Sequence, residues 1–361
     1  MSKKVKIGIV GLGAIGNVHV NAFQALGPDV EIAALSDIDP AKTNALAARF
    51  PKAAHFSDYR DLVKSDVDGV VVAVGNVLHK EVAIAALQAK KAALLEKPMA
   101  MNSREAEAIQ NASRKSGAVL QVGMVRRQMP AARIVKEYVD KNYFGSIYHI
   151  RAVLIRRRGI PGLGGWFTTK SASGGGPMID LGVHFFDQVM WMSGLWKPTH
   201  VSARTYAKFG PRMGDYRYVG MWAGPAKLDG KFDVEDYSTG FVRFGKTATM
   251  SFEIAWAANV EDQSYVELLG DKAGTRITEG KTVTLFTEHE NRPADISPQF
   301  DSNANLFECQ ARAFVAAIRG EQPPAATGPE GVTVMKLIDS IYASSERGCE
   351  IKFGDLGPEG R

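Results

Sequence analysis

The first third of the chain alternates apolar runs with helical patterns. Short, continuous apolar runs are typical of strands buried on both faces of a parallel sheet, and they occur at Val5–Val10, Val30–Leu35, Gly69–Val74, Ala92–Leu95 and Val119–Val122. Helical periodicity lies between them, at Ala14–Leu26, Ala41–Phe50, Tyr59–Lys64, His79–Lys90 and Ser103–Ser116. Repeated β-α-β units of this length predict an α/β domain with a doubly wound parallel sheet, at residues 1–125.

The pattern changes after residue 125. A predicted helix, an alternating strand, a glycine-rich loop and a second helix follow one another at Pro130–Tyr143, Ile147–Arg157, Gly159 to Gly176 and about Met178–Met192. Strand-like runs come next, at Val201–Lys208, Tyr237–Phe244, Thr247–Trp256, Ser264–Leu269 and Thr282–Phe286, and helices near Asn305–Arg319 and Gly328–Glu346 close the chain. Short turns such as Gly245-Lys246 predict a mostly antiparallel sheet in an α+β domain at residues 126–361. The segment Gly210–Asp233 is expected to form a long functional loop.

Composition narrows the class of protein. The 361 residues suffice for two domains, and 45% hydrophobic with 23% charged residues is typical of a soluble globular protein. The net charge of +5 is mild and spread along the chain, which predicts no nucleic-acid partner. Two distant cysteines form neither a metal spacing nor a disulfide framework, so no metal is predicted. Because the N-terminus leaves no room for a signal peptide and no apolar run approaches ~20 residues, we expect a cytoplasmic protein without a membrane segment.

A glycine-rich turn after the first strand points to a dinucleotide. Gly11-Leu12-Gly13-Ala14-Ile15-Gly16 fits the G-x-G-x-x-G pattern, directly after a buried strand and at the start of a helix. In that context the three glycines allow a tight turn, a close approach of the pyrophosphate and close helix packing, as in the Rossmann fold. Asp37 suits a ribose 2′-hydroxyl, and Ile38 and Asp39 offer no cation for a 2′-phosphate, so NAD is predicted over NADP. A glycine-rich turn that binds no dinucleotide is the alternative.

A second candidate site lies at Gly174–Asp187. Three glycines lead into a helix-compatible segment where Asp180 and His184 are four residues apart, so that in an α-helix they share one face. A carboxylate orients an adjacent imidazole and stabilises its protonated form, which suits proton transfer near neutral pH. The alternatives are a surface ion pair or a helix with a polar stripe, because pairs at this spacing are common on helices.

With Glu96-Lys97-Pro98 after the fifth strand, these motifs make the chain resemble the Gfo/Idh/MocA oxidoreductases over essentially its whole length. That family includes inositol dehydrogenases and many sugar dehydrogenases. The resemblance implies that Lys97, Asp180 and His184 are catalytic and contact the substrate. It also implies a cis Lys97–Pro98 bond, which X-Pro tolerates at low cost.

The resemblance extends to residues that would bind the cofactor. Glu96 and Lys97 belong to the E-K-P motif, and Asn76 and His79 match an N-x-x-H motif near the nicotinamide ribose. His79 also suits the start of a helix, so both roles are open for it.

Substrate contacts are expected from further residues. Arg127 matches an arginine often found near the substrate in the family, whereas Met129 stands where the family usually has an aspartate. Arg156 and Arg157, in a tight basic run, suit either a substrate contact or a solvated loop. Trp166 suits either the wall of a sugar pocket or ordinary packing.

The predicted reaction is the reversible, NAD-dependent oxidation of a secondary alcohol of a sugar, sugar derivative or cyclitol. His184 would take the hydroxyl proton, Asp180 would orient the imidazole, and Lys97 would stabilise alkoxide character. Two alternatives stay open: an NAD-dependent glycoside hydrolase that oxidises its substrate transiently, and a non-catalytic NAD-binding regulator. An antiparallel sheet with one uncovered face often buries that face in an oligomer. The resemblance implies a homodimer or homotetramer formed in this way through the C-terminal sheet.

Overall fold

A computed structural model describes residues 4–217 and 223–356 of the chain. The structure contains two compact units: Met1–Gln128 with Asn305–Val332 form the first, and Met129–Ala304 with Thr333–Arg361 form the second. Residues 305–332 thus pack in the first unit, whereas the sequence-based division placed them in the second domain. In the predicted loop Gly210–Asp233, residues 218–222 lie outside the described residues, and the described parts contain no helix or strand.

The first unit contains a six-stranded parallel sheet, which confirms the predicted fold class. Its strands are β1 (Val5–Val10), β2 (Val30–Ser36), β3 (Ala54–Phe56), β4 (Gly69–Val72), β5 (Ala92–Leu95) and β6 (Leu120–Val122), in the order β3-β2-β1-β4-β5-β6. The helices are α1 (Ala14–Ala25), α2 (Pro40–Ala47), α3 (Tyr59–Leu62), α4 (His79–Gln88) and α5 (Ser103–Ser116). The strand order reverses between β1 and β4, and ligands of such sheets bind beyond the carboxyl ends of the strands at that point.

The second unit is an α+β structure. Its elements begin with α6 (Pro130–Asp140), β7 (Ile147–Ile155), α7 (Lys170–Ser173), a π-helical turn (Met178–Gly182) and α8 (Val183–Ser193). Seven strands follow: β8 (His200–Tyr206), β9 (Tyr237–Phe244), β10 (Ala248–Ala255), β11 (Gln263–Gly270), β12 (Gly274–Thr278), β13 (Thr282–His289) and β14 (Arg292–Ile296). After them come α9 (Leu306–Ile318), which belongs to the first unit, α10 (Gly328–Arg347) and β15 (Ile351–Lys352).

The nine strands of this second sheet run in the order β14-β13-β12-β11-β7-β10-β9-β8-β15. Among the described strands, β7 and β10 form its one parallel pair, which confirms the mostly antiparallel prediction. The strands β3, β12, β14 and β15 were not predicted from the sequence. Each has five residues or fewer and, unlike the similarly short β4 and β5, lacks a continuous apolar run.

Apolar side chains from distant parts of the chain form the core of the first unit. Phe23 of α1 and Phe314 of α9 are both buried, and their ring centroids lie 6.3 Å apart. A parallel sheet needs helices on both faces. Because α9 covers apolar surface of α1, residues 305–332 belong to this unit although they follow the second sheet in sequence.

In the second unit, α8 covers one face of the nine-stranded sheet. Phe186 of α8 packs against Phe252 of β10, with ring centroids 5.1 Å apart. Side chains on the opposite face, such as Arg151, Tyr206 and Tyr265, are wholly or partly exposed in the single chain. In the part of the chain that the structure describes, no helix has the length and apolar character needed to span a membrane.

Candidate active site

The glycine turn has the geometry that a pyrophosphate requires. Gly11 has φ +87°, and a Cβ at this position would lie 2.4 Å from the carbonyl oxygen of Ala73. A Cβ on Gly16 would lie 1.9 Å from the carbonyl oxygen of Gly11, so α1 can approach the turn only with glycine there. By contrast, a Cβ on Gly13 would meet no atom within 4 Å. The backbone at Gly13 is therefore open to a ligand. It lies at the N-terminus of α1, whose first two residues are Ala14 and Ile15.

Asp37 lies at the end of β2, where its carboxylate is held against the glycine turn. Its Oδ2 accepts a hydrogen bond from the Leu12 backbone N–H at 2.7 Å, and its Oδ1 accepts one from the Asp39 N–H at 2.9 Å. Each carboxylate oxygen keeps a second lone pair that can accept a ribose hydroxyl. The residues therefore fit the dinucleotide that the motif implies.

A cavity of about 510 Å³ next to Asp37 is also lined by Lys42, a cationic side chain that was not expected there from the sequence. The Nζ of Lys42 lies 3.4 Å from Oδ1 of Asp37, because α2 begins at Pro40 and returns Lys42 toward the end of β2. Ile38 and Asp39 alone indicate no cation near Asp37, so this contact was not predicted.

Glu96 and Lys97 follow β5 directly, at the carboxyl edge of the first sheet. Lys97 is partly buried, and the Lys97–Pro98 bond is cis, as the resemblance implied. Glu96 is buried, with its Oε1 2.7 Å from Nε2 of His19 and its Oε2 accepting from the Lys97 N–H at 3.1 Å. Burial raises the pKa of Glu96, but the hydrogen bonds from His19 and Lys97 outweigh it, so that the net pKa lies below its usual range.

Asn76 and His79 lie between the ends of β4 and β5. Asn76 is buried and begins a short 3₁₀ turn, and His79 begins α4 while being fully buried. The Nδ1 of His79 lies 2.7 Å from the Pro98 carbonyl oxygen, and its Nε2 lies 3.1 Å from that of Val74. Burial lowers the pKa of His79, although both carbonyl contacts favour its protonated form. Of the two open roles for His79, the structure shows the start of a helix. Through the carbonyl oxygens of Val74 and Pro98, its ring also connects two segments of the candidate site.

Arg127 is buried in the first unit and held by protein groups. Its guanidinium donates to the carbonyl oxygen of Ala325 at 2.9 Å and to the Glu330 carboxylate at 3.1 Å. These bonds hold it in place at the edge of β6, and its contact with a substrate stays a prediction.

Asp180 and His184 lie in the second unit, on a helical segment that differs from the predicted one. The segment Met178–Gly182, which contains Asp180, is a π-helical turn, and α8 with His184 begins only at Val183. The prediction of a regular α-helix from Met178 is wrong for this turn. A π turn forms i→i+5 hydrogen bonds, so it is longer than a turn of an α-helix. The four-residue spacing of Asp180 and His184 therefore does not complete one turn here, as it would in an α-helix. Such π turns are frequent at functional sites.

Two residues that sequence reasoning missed hold this turn in place. The indole N–H of the buried Trp256 donates to Oδ2 of the buried Asp180 at 3.1 Å. Glu235 is also buried, and its carboxylate accepts from the Gly176 N–H at 3.0 Å and the Met178 N–H at 3.1 Å. Neither residue belongs to a motif, so the sequence contained no local signal for them.

A third donor completes the surroundings of Glu235. The Tyr342 hydroxyl donates to Oε1 at 2.8 Å, so the carboxylate faces three donors. Burial raises the pKa of Glu235, and these three hydrogen bonds oppose that shift. The carboxylate thus satisfies N–H groups at the start of a helical segment, which otherwise lack intrahelical partners.

The remaining predicted substrate residues lie at the end of β7 and in the loop after it. Arg156 is half-buried, and Arg157 is exposed while its backbone N–H donates to Asp262 at 2.6 Å. Trp166 is 46% exposed and lies against Phe167, with ring centroids 3.8 Å apart. An aromatic face with this exposure is available to a ligand, and the substrate contact of Trp166 stays a prediction.

Two family descriptions match the chain. An oxidoreductase family with an NAD-binding Rossmann fold, GFO_IDH_MocA, matches residues 5–124, and the GFO/IDH/MocA C-terminal domain matches residues 132–276. The first match agrees with the open glycine turn and the position of Asp37. The site in the first unit is therefore an NAD site.

Individual relatives extend over nearly the whole chain. D-glucoside 3-dehydrogenase of Escherichia coli (strain K12) is 28% identical over 357 residues, 98% of both chains. An uncharacterized oxidoreductase of Bacillus subtilis (strain 168), YrbE, is 30% identical over 365 residues, again 98% of both. Among solved structures, levoglucosan dehydrogenase in complex with NADH and levoglucosan has a TM-score of 0.84 at 21% identity, covering 97% of this chain and 100% of that one. At that identity the structural likeness establishes a common fold.

Proposed function

Because the chain belongs to the Gfo/Idh/MocA oxidoreductase family, we propose that it is an NAD-dependent dehydrogenase acting on a secondary alcohol of a sugar or sugar derivative. The observation that carries the proposal is Lys97, which directly follows β5 at the ligand-binding edge of the NAD-binding sheet. The substrate class is supported by the relatives, which include a D-glucoside 3-dehydrogenase and a levoglucosan dehydrogenase.

In the proposed mechanism, His184 and Lys97 act on the hydroxyl that is oxidised, and Asp180 acts on His184. His184 accepts the hydroxyl proton, and Asp180 stabilises the imidazolium that forms. Lys97 donates a hydrogen bond to the same oxygen and stabilises its alkoxide character, a kind of contribution worth about 10²–10³ in rate. The chemistry that NAD would supply at this site, when it is bound, is acceptance of the hydride. The Gly11 turn and Asp37 would hold the pyrophosphate and the adenosine ribose.

The first test is a substrate screen with purified protein. Aldoses, glycosides, sugar acids, nucleotide sugars and cyclitols are mixed with NAD, and NADH absorbance is followed. We expect NADH formation with at least one sugar derivative. Product formation without any change in NADH would instead indicate a redox-neutral hydrolase, and NAD binding without turnover on any substrate would indicate a regulator.

The second test addresses the three side chains. Lys97→Ala and His184→Ala should each lower kcat by about 10²-fold or more while the Kd for NAD stays within threefold. His289→Ala is the matched control, because His289 is exposed on β13. If either active-site variant keeps a near-normal kcat, the role proposed for that residue is wrong.

We also propose that the exposed face of the nine-stranded sheet forms a homo-oligomer interface. On that face, Tyr206 is 39% exposed in the single chain, and the partly buried Tyr237 and Tyr265 pack over a small apolar cluster that includes Val153, Ile155 and Ala255. Light scattering should give a multiple of the 39.1 kDa chain mass, and Tyr265→Glu should shift it toward the monomer. A monomeric wild-type protein would contradict the proposal.

A further inference from the structure

His19 and Glu96 form a buried pair in the first unit that the proposed mechanism does not use. His19 lies on α1, directly after the glycine turn, and is fully buried. Its Nε2 lies 2.7 Å from Oε1 of Glu96, a distance typical of a charge-assisted hydrogen bond. A carboxylate only accepts, so the imidazole must carry a hydrogen on Nε2. Among the described residues, no group hydrogen-bonds to Nδ1 of His19, so the hydrogen bond of this ring is the one to Glu96.

Packing leaves this pair little freedom to move. The ring of His19 meets that of Phe307 edge-on, with centroids 5.5 Å apart. On the other side, a Cβ on Gly123 would lie 3.1 Å from both Cα and Oε1 of Glu96. Glycine at position 123 therefore leaves the room that the Glu96 side chain occupies.

Glu96 also holds the backbone of the residue that follows it. Its Oε2 accepts the Lys97 N–H at 3.1 Å, so both carboxylate oxygens are engaged by protein groups. The resemblance implied that Glu96 contacts the cofactor, whereas these bonds direct it to His19 and to Lys97. On the far side of Lys97, the Pro98 carbonyl oxygen lies 2.7 Å from Nδ1 of His79. The backbone around Lys97 is therefore held on both sides.

We infer that Glu96, supported by His19, is a positioning residue for Lys97. Its carboxylate connects Lys97 to the helix that follows the NAD-binding turn. This inference rests on the proposed role of Lys97. The helix α1 begins at the phosphate-binding turn and carries His19 on its buried face. Glu96 connects that ring to the Lys97 N–H. A misplacement of about 1 Å can lower a rate by about 10²-fold, so a small shift of Lys97 has a measurable effect.

Variants of Glu96 and His19 test this inference. In Glu96→Gln the amide NH₂ must face one of the two donors, because only one oxygen remains. In His19→Leu the donor to Glu96 is lost, whereas His19→Gln keeps an N–H at a similar distance from the backbone. We expect kcat to fall about 10- to 100-fold in Glu96→Gln and His19→Leu, and clearly less in His19→Gln. The KM for the sugar and the Kd for NAD should stay within threefold, with Glu31→Gln and His55→Gln as controls.

Hydrogen exchange in the free enzyme supplies a measurement that is independent of turnover. Loss of the acceptor in Glu96→Gln, or of its support in His19→Leu, should speed exchange of the Lys97 amide relative to wild type and His19→Gln. Unchanged kcat and exchange in both variants would overturn the inference, as would a loss of kcat that only follows a loss of NAD binding or of folded protein. If Lys97→Ala itself keeps its turnover, the proposed function of Lys97 fails. If Lys97→Ala is inactive while Glu96→Gln and His19→Leu keep wild-type kcat and amide exchange, the positioning inference alone fails.

Discussion

The indole N–H of Trp256 donates a 3.1 Å hydrogen bond to Oδ2 of Asp180, and both side chains are buried. An indole nitrogen only donates, so it needs an acceptor in this position, and Oδ2 of Asp180 supplies one. The backbone N–H of Trp256 in turn donates to the Asp236 carbonyl oxygen at 2.9 Å, which anchors the residue at the end of β10. The aspartate proposed to support His184 is therefore oriented from the sheet below it.

Trp256→Phe removes this donor while keeping an aromatic ring. We expect kcat to fall about tenfold, because one orienting hydrogen bond is worth about 1.4 kcal/mol when it acts mainly in the transition state. Leaving a buried acceptor without its donor should also lower the free energy of unfolding by about 1–3 kcal/mol. Steady-state kinetics and urea unfolding measure the two effects, with Trp196→Phe as the control. A variant with wild-type kcat would show that Asp180 needs no orientation by Trp256.

Glu235→Gln tests the support of the π-helical turn. The carboxylate accepts from Gly176, Met178 and Tyr342, and a carboxamide must turn an NH₂ group toward at least one of these donors. We expect the free energy of unfolding to fall by about 1–3 kcal/mol, together with a lower kcat. Thermal unfolding and turnover measure these effects, and Glu253→Gln on β10 is a control for a glutamate in the same unit. Unchanged stability would mean that the turn does not depend on this acceptor.

The lowered pKa of Glu96 predicts the pH dependence of stability. A carboxyl group whose pKa is lower in the folded than in the unfolded state stabilises the protein above its unfolded value of about 4.3. That contribution is lost as the pH falls through the lower folded pKa. Wild type should therefore lose more stability than Glu96→Gln between about pH 5 and pH 3, as measured by urea unfolding. Parallel curves for the two proteins would contradict the pKa direction.

Lys42 predicts a measurable effect on cofactor choice. Its ammonium lies near the Asp37 carboxylate and reduces the repulsion that Asp37 exerts on a 2′-phosphate. Lys42→Ala should therefore raise the ratio of kcat/KM for NAD to that for NADP by about fivefold, the effect of ~1 kcal/mol from a partly exposed ion pair. Lys64→Ala, a change in an exposed lysine of the same unit, is the control. A ratio equal to that of wild type would exclude a role of Lys42 in discrimination.

The sequence alone predicted the elements whose signals are local. Val5–Val10 is a continuous apolar run and the glycine pattern follows it at once, so strand, turn and helix could be located without the fold. The same holds for Lys97, which follows the apolar run Ala92–Leu95. In both places the residues that determine the conformation are neighbours in the sequence. A strand that is buried on both faces also appears as a continuous apolar run, which can be recognised from the sequence alone.

Tertiary structure decided the contacts that join distant segments. Trp256 and Asp180 are 76 positions apart, and His19 and Glu96 are 77 apart. Such hydrogen bonds depend on how segments far apart in the sequence pack together, which the local pattern of apolar residues does not specify. The return of α9 to the first unit and the π turn at Asp180 have the same origin. The sequence by itself thus determined which groups are available for chemistry, whereas packing between distant segments decided how they are held.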